Sequence, residues 1–344
     1  MPARALPILP TTVVGSYAVP SWLWAAYEKI EAGGFGEMDV RETEDDAVEM
    51  AIRDQERAGV DVISDGEMRR QGFIVSIFGY FTGIRPIPPR RKVGILSYDG
   101  HTLYEPVEKL AAPDGIGMRR ELAYLERATT RPFKLTCPGP LTLATQMKPG
   151  GPYRDRRDLA ADLASIINAE FRALAAEGAR QLQIDDVYQS FSMEPKDLVE
   201  FYNRCVNGVR VEKLCYHICF GTLEGFSFSE RSYRPLFPAI LGAKADQFLF
   251  EFANRELAEI DLWREFDCPK ELGAGVIDTK SFYMEKPEVV ARRIRRLLEG
   301  GVPVERLWIN PDCGLARMPR HLAFAKLRAM VAGTRMVREE LGAK

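Results

Sequence analysis

The chain has 344 residues, 46% of them hydrophobic and 28% charged, with a formal net charge of −2. That balance supports a large buried core and offers no global basic field for nucleic acid or an anionic membrane surface. It also contains no run of about 20 apolar residues that would span a bilayer.

The opening segment MPARALPILPTT is broken by three prolines and makes a poor signal peptide, so the cytoplasm is the expected location. Strand-length apolar runs then recur along the chain: TVVGSY (12–17), VDVISDGE (60–67), RPFKLTCPG (131–139), RQLQIDD (180–186), KLCYHICFG (213–221), QFLFEFA (247–253), ELGAGVID (271–278) and RLWINPD (306–312). Near-continuous apolar character with β-branched and aromatic residues suits strands buried on both faces of a parallel sheet. Helical patterns separate them. RDLAADLASIINAEFRALAAEG (157–178) and KPEVVARRIRRLLEGG (286–301) both end on glycine, and RHLAFAKLRAMVAGTRMVREE (320–340) closes the chain. Strand then helix, eight times over, predicts an α/β fold: a single (β/α)8 TIM barrel, with residues 1–344 forming one domain.

One interval departs from that rhythm. After the second run, GIRPIPPRRKVGILSYDGHTLYEPVEKL (83–110) carries prolines, alternation and a DG turn signal. It predicts an inserted β-hairpin arm over 83–112, followed by a helix. Its Arg85, Arg90, Arg91 and Lys92 form a local basic cluster, expected to be solvated or to meet another subunit; a docking surface for a partner protein or an anionic substrate is the rival reading.

In such barrels the chemistry lies at the C-terminal strand ends, and here polar or ligand-type residues occupy all eight. Six scattered cysteines without a CxxC pair exclude a disulfide framework. Three histidines, His101, His217 and His321, exclude a His-rich metal site. His217 and Cys219 are two apart on one strand, so their side chains share a face. Taken alone that pair also suits a buried structural histidine beside an inert cysteine. With Glu251 and Cys313 at later strand ends, the set becomes one imidazole, one carboxylate and two thiolates, which zinc accepts in tetrahedral geometry. Three negative ligands against Zn2+ leave the site net negative. Such a centre is a weak Lewis acid toward water, yet it removes a thiol proton and leaves the sulfur nucleophilic. The implied chemistry is S-alkylation.

The remaining strand ends suit an α-amino acid thiol. Glu67 and Asp185 are carboxylates for an ammonium group, and the turn at Val14, Gly15 and Ser16 offers amides for a carboxylate. Asp186 is expected to be structural.

TTVVGSY, SDGEMRR, CPGPLTL, QIDD, HIC, FEFANRE, GVIDTKS and WINPDCGL resemble, in order and spacing along nearly the whole chain, the catalytic half of the cobalamin-independent methionine synthases. The resemblance implies zinc on His217, Cys219, Glu251 and Cys313, and L-homocysteine held by Val14-Gly15-Ser16, Glu67 and Asp185. Two positions differ from the folate-using members. Gln146 stands where a tryptophan stacks on the pterin, and Lys280 stands where a histidine donates a proton. On that basis the chain is similar to short single-barrel enzymes, which implies methylcobalamin on a corrinoid protein as methyl donor in preference to 5-methyltetrahydrofolate, since a cob(I)alamin leaving group needs no proton. Rival expectations are an epoxyalkane:coenzyme M transferase-like alkylation, whose thiol has no amine for Glu67 and Asp185, and a metal-free barrel relative with a decarboxylase or binding role. Self-association into a homo-oligomer is left open.

Overall fold

A computed structural model of the protein describes residues 6–70, 75–90, 102–187, 194–221 and 230–343. Two strands, β1 (Thr82–Ile87) and β2 (Leu103–Ala111), pair antiparallel. Six more form one parallel sheet in sequence order: β3 (Leu135–Pro138), β4 (Gln181–Val187), β5 (Lys213–Cys219), β6 (Gln247–Phe250), β7 (Glu271–Ile277) and β8 (Leu307–Pro311).

The first two expected strands are reduced to single bridges, and those bridges close the ring. Thr11 bridges Ile309 on β8, Thr12 bridges Val62, and Ile63 bridges Phe133 just ahead of β3, all parallel. Thr12 N donates to Ile309 O at 2.8 Å, Val62 N to Thr11 O at 3.0 Å, and Lys134 N to Ile63 O at 2.9 Å. Both sheet edges are thereby paired, which removes the open edges a six-stranded sheet would present. The early segments are short because Asp61 and Ser64 take part of the pairing. Asp61 Oδ2 accepts from Thr11 N at 2.9 Å, and Ser64 Oγ donates to Gly15 O at 2.6 Å.

Alternation along the strands separates two environments. On β5, Tyr216 points outward and stacks on Tyr202 of the helix Pro195–Cys205, with ring centroids 4.2 Å apart. Cys215, His217 and Cys219 therefore face the barrel interior. The large apolar core lies in the outer layer, between the sheet and helices such as Arg156–Ala176, Pro287–Glu299 and Arg320–Glu340. These match the predicted helices to within two residues, and Asp155 caps the first by accepting from Arg157 N and Asp158 N. Among the described residues, a small separate apolar cluster of Val14, Cys215 and Leu249 lies inside the ring. Much of the rest of the interior is polar: Lys134, Gln183, Gln247 and Asn310 are all buried.

The predicted arm is present as β1 and β2, followed by the helix Met118–Ala128. Its backbone joins the body where Tyr104 N donates to Gln146 O and Lys148 N to Tyr104 O, both 2.8 Å. Of the basic cluster, Arg85 is paired with Glu105 and Arg90 is exposed. Arg91, Lys92, the DG turn and His101 lie outside the described residues. No helix among the described residues is long and apolar enough to cross a membrane.

The β7–β8 seam leaves no room for a side chain at Gly275, whose added Cβ would sit 2.2 Å from Asp312 Oδ1 and 2.7 Å from its Cα. Gly275→Ala is therefore expected to destabilise the protein by about 1–3 kcal/mol, read as a lower urea midpoint at unchanged m-value.

Candidate active site

Three of the four expected metal donors converge at the C-terminal mouth of the barrel. The ligand atoms of His217, Cys219 and Cys313 all lie within 4.8 Å of one another. His217 Nδ1 sits 3.1 Å from Leu249 O; a carbonyl only accepts, so Nδ1 carries the hydrogen and Nε2 is left as a free donor atom, 3.8 Å from Cys313 Sγ. A backbone carbonyl that fixes the tautomer in this way is a recurrent support of metal-binding histidines. A hydrogen bond from Cys219, helped by His217, holds the Cys313 thiol well below its ordinary range against the opposing effect of burial, and Cys219 is correspondingly pushed up. One imidazole nitrogen and two sulfurs at this spacing fit a soft cation of tetrahedral preference. Cys137, Cys205, Cys215 and Cys268 are buried elsewhere.

Glu251, the fourth expected donor, is fully buried but does not join that trio. One carboxylate oxygen accepts from Phe220 N at 2.8 Å, and the other is paired with Lys280 Nζ and Asn254 Nδ2. Lys280 thus supplies the positive charge that a buried carboxylate requires. Two further ion sites hold this corner in place. Asp312 accepts from Phe252 N, Ala253 N and Asn254 N, each at 2.8 Å, clamping the turn after Glu251 onto the residue before Cys313. Lys326, with no exposure, pairs with Glu285 at 2.7 Å and donates to Asp278 O and Tyr283 O, which pins the loop bearing Lys280.

Beside the trio lies a cavity of about 330 Å3, lined among others by Val14, Gly15, Ser16, Glu67, Asp185, His217, Cys219 and Cys313. All the expected substrate-side residues therefore meet the metal-type donors in one space. Glu67 is carried on a left-handed backbone (φ 57°) after Gly66, an uncommon conformation for a residue with a side chain. Its Oε1 accepts from Thr136 Oγ1 at 2.6 Å and lies 3.4 Å from Arg70, which is itself clamped by Glu121 at 2.9 Å. Glu67 Oε2 and Asp185 Oδ2 are buried without any hydrogen-bond partner. Burial pushes Asp185 up to about 7, with the neighbouring Glu67 charge adding to it, and burial likewise raises Glu67. Both residues line the cavity, and two carboxylates with orphaned oxygens beside one space suit a cationic guest. A Cβ on Gly15 would lie 2.4 Å from Glu67 Oε1, so a side chain there would displace that carboxylate.

Asp186, read as structural, accepts from Thr142 N, Thr142 Oγ1 and Tyr216 OH. Gln146 is not brought to the cavity. It caps the short helix Pro140–Thr145, donates to Thr145 Oγ1 at 3.1 Å, and gives its carbonyl to the arm. Sequence reasoning missed Arg70, Glu121, Asp312 and Lys326. Arg70 lies inside the quoted SDGEMRR motif, and Asp312 precedes Cys313; Glu121 and Lys326 sit in helices where nothing distinguishes them from surface charges.

Comparison with known proteins bears on this geometry. Residues 9–336 match the family described as "Cobalamin-independent synthase, Catalytic domain". A methionine synthase of Sulfurisphaera tokodaii is 37% identical over 98% of this chain and 94% of its own length. One of Saccharolobus solfataricus is 36% identical over 98% of both. Among solved structures, a B12-independent methionine synthase from Shewanella sp., in complex with selenomethionine, superposes with a TM-score of 0.81 at 25% identity, covering 97% of this chain and 99% of that one. A Listeria monocytogenes protein of 20% identity shares the fold, with a TM-score of 0.71.

The expectations of methylcobalamin as donor and of a corrinoid protein as partner are overturned by this match, since the family is cobalamin-independent. They rested on Lys280 standing in place of a histidine; Lys280 is buried against Glu251 and, like Gln146, does not line the cavity. By its match over 9–336 and by near-full-length likeness to methionine synthases, the chain belongs to the cobalamin-independent synthase catalytic-domain family.

Proposed function

We propose that this protein is a zinc-dependent methyltransferase that moves a methyl group from 5-methyltetrahydrofolate to the sulfur of L-homocysteine, giving methionine, with residues 1–344 acting as one catalytic barrel. The observation that carries the reading is one cavity holding both the His217/Cys219/Cys313 trio and two buried carboxylates, each with an unpartnered oxygen. The methionine synthases of 36–37% identity support the activity, and selenomethionine in the Shewanella structure is the selenium analogue of the product.

His217, Cys219 and Cys313 would hold the zinc, with Glu251 as fourth donor once the metal's charge takes the place of Lys280. Bound there, zinc supplies a means of keeping an incoming thiol deprotonated at neutral pH without making its sulfur a poor nucleophile. The chain's own residues do the rest. Glu67 Oε2 and Asp185 Oδ2 take the substrate ammonium, and the Val14-Gly15-Ser16 turn takes its carboxylate, so the sulfur is directed toward the trio. These contacts favour an amino-acid thiol over coenzyme M, which would leave both carboxylate oxygens unpaired. As the sulfur–methyl bond forms and the nitrogen–methyl bond breaks, the electron pair stays on the donor nitrogen, and Lys280 Nζ is the group we assign to protonate it. Cytoplasmic redox conditions suit a site that needs free thiols.

Cys219→Ser or Cys313→Ser is expected to lose most bound zinc, measured by elemental analysis of purified protein, while Cys137→Ala and Cys215→Ala retain it at a packing cost of about 1–2 kcal/mol. Zinc-loaded protein should form methionine from L-homocysteine and 5-methyltetrahydrofolate; no methionine at any folate concentration, with zinc still bound, would sink the donor assignment. Asp185→Asn should raise KM for L-homocysteine by about tenfold or more. It should leave KM for 4-mercaptobutanoate, which lacks the amine, little changed, and equal effects on both thiols would refute the amine contact.

A further inference from the structure

The barrel interior beneath the cavity holds a charge that the mechanism above does not use. Lys134 follows the bridge residue Phe133, and its side chain is buried to 2% exposure. Among the described residues no carboxylate lies within ion-pair distance of it; its ammonium donates to Gln183 Oε1 at 2.6 Å. Gln183 is itself fully buried, and its Nε2 donates to Val14 O at 2.7 Å and to Asp185 Oδ1 at 2.6 Å.

An ammonium has donors only, so it fixes which end of the amide faces it. With Oε1 turned to Lys134, Nε2 must turn to the other side. There it meets two acceptors, the carbonyl of the Val14-Gly15-Ser16 turn and one oxygen of Asp185. The reversed amide would set NH2 against NH3+ and oxygen against both a carbonyl and a carboxylate. Lys134 therefore dictates the polarity of Gln183, and Gln183 dictates which oxygen of Asp185 is occupied and which is left without a partner. The positive charge of Lys134 also favours the ionised form of Asp185, opposing the effect of burial. Neither Lys134 nor Gln183 lines the cavity.

We infer that Lys134 and Gln183 form a buried positioning relay that sets the site's selectivity for an amine-bearing thiol, by engaging Asp185 Oδ1 and so leaving Oδ2 for the substrate ammonium. This rests on the amino-acid thiol reading given above. It makes the two residues positioning groups for substrate choice, with no contact to substrate or to the sulfur–nitrogen cluster. A purely structural pair would alter stability and the binding of every thiol alike.

The test is calorimetric titration of the zinc-loaded full chain, with L-homocysteine and then 4-mercaptobutanoate, for the unsubstituted protein, Lys134→Met, Gln183→Met and the double variant. Zinc content is measured on each sample. The expected result is about a tenfold loss of L-homocysteine affinity in each single variant, less than twofold change for 4-mercaptobutanoate, and unchanged zinc. The double variant should be no worse than either single one, since both break one relay. Gln183→Met exchanges neutral side chains of similar length and carries the test alone should Lys134→Met fail to fold. Parallel losses for both thiols, or an intact preference for the amine in the variants, would overturn the relay. An unsubstituted protein that binds both thiols equally would overturn the amine contact itself, and the relay with it.

Discussion

Charge taken out of water at the mouth of a closed parallel sheet is the constraint on which the rest of this structure depends. A buried ion costs several kcal/mol unless partners replace its hydration, and this barrel buries many. Glu285 and Lys326 neutralise each other with no exposure on either side chain. Glu121 and Glu67 share Arg70. Asp312 is met by three backbone N–H groups, and Glu251 by Lys280. Against that background the atoms left without a partner stand out. Glu67 Oε2 and Asp185 Oδ2 are among the buried atoms left without a hydrogen-bond partner, and both residues line the cavity.

The same constraint explains the geometry around Glu251. A carboxylate with no solvent exposure needs a cation, and Lys280 provides one in the structure as it stands. A divalent ion held by His217, Cys219 and Cys313 would provide another. Such an ion and Lys280 would compete for one carboxylate, which would tie a lysine at this position to the electrostatics of that corner. The cobalamin expectation read Lys280 only as a missing histidine, and the family match overturned it.

Several features of the site were legible before any coordinates. His217 and Cys219 had to share a face because strand side chains alternate, and Tyr216 stacking on the outer helix layer follows from the same alternation. Glu67, Asp185 and the Val14-Gly15-Ser16 turn could be placed at strand ends because the runs were long and apolar. Other features were not legible. The first two strands looked as strong as the others, yet Asp61 and Ser64 draw their backbone into side-chain hydrogen bonds and leave only bridges.

What the sequence by itself determined is the order of strand and helix, the barrel class, and the identity of the residues at the strand ends. Those follow from local periodicity and from the few residue types able to bind a metal or an ammonium. Tertiary structure alone decided which of them meet. Three donors converge while Glu251 turns to Lys280, Arg70 and Lys326 become interior counter-charges, and Lys134 is buried against an amide instead of lying at the surface. The physical reason is that a charge carries no mark of its environment in one dimension. Whether it is solvated, paired or left aimed at a cavity depends on which distant elements the closed ring packs around it.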